Sequence, residues 1–148
     1  MNWVYDDGGR KAAGFGGDAG DCVTRSIAIA TRLPYEHVYA LLNEQAQRER
    51  PIRGRRSSAR NDVFRETSQR VLESLGWRWV PTVKIGSGGR VHLKTDELPA
   101  GRLIVRCSKH TTAVIDGVVH DTYDASRDGT RSVYGYFIKG PSFATTYS

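Results

Sequence analysis

Hydrophobic positions along the chain change their period once, close to Gly76. Before that point they recur every three or four residues, as on helices. From Cys22 to Leu33, the side chains of Val23, Ile27, Ala28, Ile29, Ala30 and Leu33 cover most of a helical circumference, the mark of a buried helix. Pro34 opens a second helix, where its missing N–H costs nothing, with Val38, Leu41, Leu42 and Gln45/Ala46 on one stripe. Asn61 is the expected cap of a third, Asp62 to Leu75, with Phe64, Thr67/Ser68, Val71, Leu72 and Leu75 on its stripe and Gly76 as its stop. Beyond Gly76 the pattern alternates. Strands are expected at Trp77–Val80, Arg102–Cys107, His110–Ile115, Val118–Tyr123 and Val133–Lys139, with a loop at Gly86–Gly89 and a turn at Asp96–Gly101. Helices first and an antiparallel sheet second make an α+β domain.

The segment Met1–Asp21 is rich in glycine and aspartate and reads as an extended arm with one short strand at most. Trp3, Tyr5 and Phe15 are its expected anchors. Its pairs Gly8-Gly9 and Gly16-Gly17 lack the spacing and the strand–helix setting of a dinucleotide site.

One pairing can be worked out from the sequence. Asp116-Gly117 between two apolar runs is a strong signal for a two-residue hairpin turn. Such a turn sets Ile115 opposite Val118, Thr112 opposite Asp121 and His110 opposite Tyr123. Because side chains alternate, His110, Thr112 and Val114 share a face with Val119, Asp121 and Tyr123. His120, Thr122 and Asp124 point the other way. Asp121 is then the diagonal neighbour of His110, within reach of its ring, and Asp124 is not. A carboxylate on the same face orients an imidazole and leaves its other nitrogen to exchange a proton.

Composition fits one soluble globular domain over residues 1–148, with an arm at 1–20 and a basic loop at 48–60. Of the 148 residues 39% are hydrophobic and 26% charged, and no apolar run reaches membrane-spanning length. Two cysteines and an N-terminus without a secretory pattern fit a reduced protein of the cytoplasm, the host's if the chain is phage-encoded. The net charge of +6 is concentrated at Arg48, Arg50, Arg53, Arg55, Arg56 and Arg60, opposed only by Glu49. Such a block is either a solvated mobile loop or a surface for a nucleic acid or an acidic protein.

Cys22 stands where a glycine-rich loop enters the first helix, with Asp18 or Asp21 as the expected cap. Unpaired N–H groups and the positive dipole end favour a thiolate there. Cys107 reads as a small buried hydrophobe, and Trp77, Trp79 and Tyr123 as core and cleft walls. A helix-start cysteine, two more helices, then a histidine strand and an aspartate strand resemble the papain-like cysteine peptidase fold from about Asp18 to Ile138. The run from His110 through Val114, Asp116-Gly117 and Asp121 is similar to the H-x-x-x-V-x-D-G…D pattern of compact bacterial members such as the C39-type peptidases. The resemblance implies Cys22 as nucleophile, His110 as general base and acid, and Asp121 as the orienting residue. It puts the oxyanion position and cleft at Asp18, Asp21 and Tyr123. Papain-like enzymes usually carry a glutamine a few residues before the cysteine, and none precedes Cys22. The Cys22 N–H, with Asn2 as a conceivable partner, is left for that task.

The first functional expectation is a thiol hydrolase or transferase acting without a cofactor on an amide, peptide or isopeptide bond of a peptide or protein substrate, with no membrane partner. The second is a catalytically silent binding or inhibitor module, of viral or mobile-element origin, using Arg53, Arg55, Arg56 and Arg60. A metal site from His110, His120, Cys107 and Asp121 ranks below both, because the hairpin separates the two histidines.

Overall fold

Three helices and one sheet make up the computed structural model, which describes residues 1–17, 19–82 and 91–140. The helices are α1 (Cys22–Thr31), α2 (Tyr35–Gln47) and α3 (Arg65–Ser74). The strands are β1 (Trp3–Tyr5), β2 (Trp77–Pro81), β3 (Val91–His92), β4 (Arg102–Cys107), β5 (His110–Ile115), β6 (Val118–Asp121) and β7 (Ser132–Lys139). They lie in the order β1-β6-β5-β4-β7-β2, with β3 also on β7. The fold is α+β. The sheet is mixed rather than antiparallel, because β1 from the arm runs parallel to β6.

Two apolar clusters cover the two faces of the sheet. Ile27, Ala28, Val38, Leu42, Val71 and Leu72 from the helices meet Trp77, Ile104 and Phe137 on one face. Leu103, Val105, Val114, Val119 and Val133 pack on the other with Leu93, Leu98 and Ala125. Leu103-Ile104-Val105 is therefore a continuous buried run, the pattern of a strand covered on both sides. Full burial of one such side chain is worth about 1.5–3 kcal/mol.

The expected ends shift for local reasons. α1 stops at Thr31 because Arg32 turns left-handed, with φ of 64°. α3 starts at Arg65 with Phe64 in extended conformation at its cap, so Asn61 caps nothing and the predicted start at Asp62 is three residues early. The carbonyl of Asn61 instead lies where a Cβ on Gly20 would come within 2.4 Å, so this approach to Cys22 admits only glycine. The turn at Asp96–Gly101 contains a 3-10 segment, Thr95–Glu97. The expected loop at Gly86–Gly89 lies outside the described residues.

The arm is packed rather than simply extended. After β1 it makes tight turns over residues 8–14. Phe15 meets Tyr35 and Tyr39 with ring centroids 5.0 and 4.8 Å away. Tyr5 is not an anchor, being 65% exposed. Trp3 is exposed too, but its indole N–H bonds the Asp121 carbonyl at 3.1 Å.

The basic loop is held by its own hydrogen bonds, which the reading as a solvated mobile loop did not foresee. Backbone bridges join Ile52 to Arg55 and Ser58 to Asp62. Asn43 Oδ1 accepts from Ala59 N at 2.9 Å, and Thr24 in α1 donates to the Ala59 carbonyl at 2.6 Å.

Candidate active site

β5 and β6 pair as the two-residue turn dictates: Ile115 with Val118, Val114 with Val119, Ala113 with His120. Asp116 and Gly117 both take positive φ, 48° and 79°, as the primed hairpin turn requires. One step further Thr112 and Asp121 meet, and both Thr112 Oγ1 and His110 Nε2 lie on Asp121 Oδ2, at 2.6 and 2.7 Å. Asp124 points elsewhere and accepts from the Ser126 N–H and hydroxyl at 3.0 and 2.7 Å. His120 also faces away from His110, its Nδ1 lying 3.8 Å from Asp6.

α1 brings Cys22 to this hairpin. The Ser26 hydroxyl, one turn below Cys22, lies 2.7 Å from the Cys22 carbonyl and 3.1 Å from that of Thr111, the residue after His110. This docks β5 onto the first turn of the helix. The His110 side chain and the Thr111 N–H are neighbours that act on the Cys22 thiol and favour its ionised form. With Nε2 on Asp121, the ring nitrogen left for the thiol is Nδ1.

The titration directions follow from these neighbours. Burial alone raises the thiol pKa of Cys22. The hydrogen bond and charge of His110, the Thr111 N–H and the Arg25 guanidinium outweigh it and hold the thiol below its ordinary value. Burial likewise opposes the imidazolium of His110, but Asp121 and Cys22 stabilise it and lift its pKa. Burial works against the Asp121 carboxylate too. Donation from His110 and Thr112, and from the Thr122 N–H at 2.7 Å, keeps its pKa below the usual range. The three shifts run toward thiolate, imidazolium and carboxylate. Cys107 is the contrast: buried, free and pushed up to about 12 by burial, so it stays a thiol.

Asp21 does not cap α1 and is no oxyanion donor. It is 1% exposed and binds Arg10 Nε at 3.1 Å, the Tyr35 hydroxyl at 2.6 Å and Arg25 Nη1. A carboxylate so surrounded is an acceptor that ties the arm, α1 and α2 together. Arg25 also reaches Asp121, at 3.7 Å, so one guanidinium spans the buried carboxylate before Cys22 and the one beside His110. Asp18 lies outside the described residues. Asn2 lies alongside β6, its carbonyl accepting from the Val119 N–H at 2.9 Å, two residues from Asp121. Among the described residues no side chain accepts from the first-turn N–H groups of α1, the turn that begins at Cys22. Tyr123 stands beside the histidine, its ring centroid 5.1 Å from that of His110 and its hydroxyl 3.2 Å from Arg131.

Of the four loop arginines, Arg56 is spent on the carbonyls of Ala46 and Glu49, at 2.8 and 3.0 Å, closing the end of α2. Arg60 reaches back to the Gly16 carbonyl at 3.4 Å, and Arg55 pairs with Asp62 at 3.3 Å. Arg53 forms no ion pair among the described residues. Among those residues no cluster of three or more His, Cys, Asp or Glu could hold a metal ion, and no helix is long and apolar enough to cross a membrane.

Sequence reasoning placed Thr112 opposite Asp121 without giving it a role, and it missed Ser26, Arg25 and Arg10 as parts of this site. The i,i+4 spacing of Asp21 and Arg25 was a signal for one pair. Nothing local marks Arg10, whose contact to Asp21 closes over the folded arm. No protein-family model matches the chain, and no curated protein or solved structure matches it significantly.

Proposed function

We propose that this chain is a papain-like thiol hydrolase that opens an amide, peptide or isopeptide bond through an acyl-enzyme. The observation that carries the reading is the grouping of Cys22 at the start of α1, docked on β5 by Ser26, with His110, whose Nε2 lies 2.7 Å from Asp121.

In this mechanism the Cys22 thiolate attacks the substrate carbonyl, and negative charge passes to its oxygen. The N–H groups at the start of α1 receive that oxyanion. His110 then gives its Nδ1 proton to the leaving nitrogen, the C–N bond breaks and a thioester remains on Cys22. Water gives its proton to His110 as it attacks the thioester, and the acid is released with the thiolate restored. Asp121 keeps Nε2 as an N–H donor throughout, which fixes the ring's orientation. The helix N-terminus takes the place of the missing glutamine only in part. One lost oxyanion donor costs on the order of 10²–10³ in rate, so turnover on simple peptides is expected to be slow.

The test is active-site labelling. A small acyl-mimicking electrophile offered at stoichiometric level should modify Cys22 and spare Cys107. Cys22→Ala should abolish the label and His110→Ala should slow it to the rate of an ordinary exposed thiol. Equal inertness of both cysteines would end the reading.

A further inference from the structure

β4 lies beside the histidine strand and carries Arg106 as the partner of Thr111, the residue whose carbonyl meets Ser26 of α1. Val23, Thr111 and Arg106 enclose a gap of about 10 Å³ between α1 and the sheet, no more room than one water needs. On its far side Arg106 lines a cavity of about 310 Å³ with Arg65, Trp79, Pro81 and Tyr134. This is the size of a small-ligand subsite. The Arg65 guanidinium sits 5.4 Å from the Trp79 ring centroid, at the cavity wall.

Arg106 differs from every other arginine withdrawn from solvent. Among the described residues Arg10, Arg25, Arg60, Arg102 and Arg131 are partly or fully buried, and each holds a carboxylate or carbonyl partner. Arg106 is half-buried, and no described carboxylate lies within ion-pair distance of it or of Arg65. A cation taken partly out of water without a partner is costly, and a second guanidinium nearby adds repulsion. Burial and then Arg65 depress the Arg106 pKa, Cys22 opposes them only in part, and an arriving anion would act in the same sense as Cys22.

We infer that this cavity is a specificity subsite for an acidic side chain next to the scissile bond of the substrate. Two guanidiniums supply forked donors for a carboxylate. Trp79, Pro81 and Tyr134 supply apolar walls for the methylenes that carry it, which favours glutamate over a bare inorganic anion. The inference rests on Cys22 being the nucleophile only for its place in a reaction; the anion site itself can be tested without turnover.

The experiment uses the full chain with Cys22→Ala and follows the indole N–H signal of Trp79 in a ¹H–¹⁵N spectrum, assigned with Trp79→Phe. The probes are N-acetylglutamate amide, N-acetylglutamine amide and N-acetylglutamine with a free terminal carboxylate. The glutamate amide should bind about tenfold more tightly than the glutamine amide, the scale of one charge-assisted contact. High salt should weaken that preference, and adding Arg106→Gln or Arg65→Gln should reduce it to within about twofold. Arg106→Gln should leave the urea midpoint unchanged or raise it, whereas an arginine needed for folding would lower it. Equal affinity for the two amides, or a preference untouched by both substitutions, overturns the inference. Tighter binding of the free terminal carboxylate than of the glutamate side chain overturns it in favour of a chain-end site. Peptidyl vinyl sulfones carrying Glu or Gln on either side of the electrophile are then offered to the wild-type chain. If the glutamate preference stands in the binding experiment but no probe labels Cys22, the hydrolase reading fails and the anion site remains. If glutamine probes label Cys22 as fast as glutamate probes, the subsite is wrong and the nucleophile stands.

Discussion

Thr112 donates its hydroxyl to Asp121 at 2.6 Å, on the same carboxylate oxygen that faces His110. Both partners are almost fully buried, at 0% and 3% exposure. The threonine therefore holds the carboxylate in the one orientation that meets the imidazole, and it does so from the opposite position on the neighbouring strand.

Thr112→Val keeps the shape and removes that donor. Asp121 loses one of the bonds that depress its pKa, and the ring loses part of its support. The alkylation rate of Cys22 at neutral pH should fall about tenfold, the scale of a hydrogen bond to a charged group. Folding should be retained, since no buried donor is left unsatisfied. An unchanged rate constant in stopped-flow alkylation by iodoacetamide would show that Asp121 is positioned without Thr112.

The Cys22 thiol is held below its ordinary value chiefly against burial and by His110. Its alkylation rate should rise with pH through a midpoint below the usual thiol value of about 8.5. In His110→Ala the largest favourable contribution is gone while burial remains, so the midpoint should move above that of the wild type. The rate–pH profiles of the two proteins decide it, and superimposable profiles would refute the thiolate–imidazolium pair.

Stability should follow pH with a sign set by the same pair. His110 has a raised folded pKa, so its contribution is complete below about pH 6.5 and is lost as pH rises through the folded value. Asp121 has a depressed one, so its contribution is complete above about pH 3.9 and is lost as pH falls through the folded value. Asp121→Asn mimics the protonated acid. Urea midpoints of wild type and variant should differ most near pH 5–6 and converge as the pH drops below the Asp121 value. A constant gap across that range would mean that the carboxylate charge is not what the pair contributes.

Asp21 is a structural centre, and the chemistry does not run through it. Asp21→Ala leaves Arg10 and Arg25 without their buried acceptor and frees the Tyr35 hydroxyl. The loss should be about 3–5 kcal/mol in urea unfolding, the cost of breaking a buried pair from one side. Arg56→Ala should cost about 1 kcal/mol because two carbonyls at the end of α2 lose their donor. Arg53→Ala, with no ion pair to lose, should stay within about 0.5 kcal/mol. Equal effects of the two arginine substitutions would contradict the distinct roles given to them.

Much of the site was legible because its decisive step is local. The period of two along β5 and β6 and the Asp116-Gly117 turn fix which residues share a face, so His110, Thr112 and Asp121 are brought together by pairing rules alone. The buried character of α1 was equally legible from its nearly continuous apolar surface. Local sequence carries no such rule for contacts closed by the arm. β1 pairs with β6 across more than a hundred residues, and a parallel neighbour leaves no hairpin signal. For the same reason Asp21 read as a cap: short acidic residues before a helix usually serve there. Three partners from Arg10, Arg25 and Tyr35 outbid the helix N–H groups once the arm has folded over.

Cys22, at the start of a buried helix, was thus determined by the sequence as a candidate thiolate, and so was the face that His110 shares with Asp121. Only the tertiary structure decided that the helix start lies against the histidine strand, through the Ser26 hydroxyl on the Thr111 carbonyl. It also decided that the basic loop spends Arg56 on carbonyls at the end of α2 and Arg60 on the arm's Gly16, while Arg106, unremarkable in the sequence, stands half-buried without a described carboxylate. Pairing within a hairpin is settled by neighbours a few residues apart. Burial and charge compensation are settled by whatever the completed fold brings alongside.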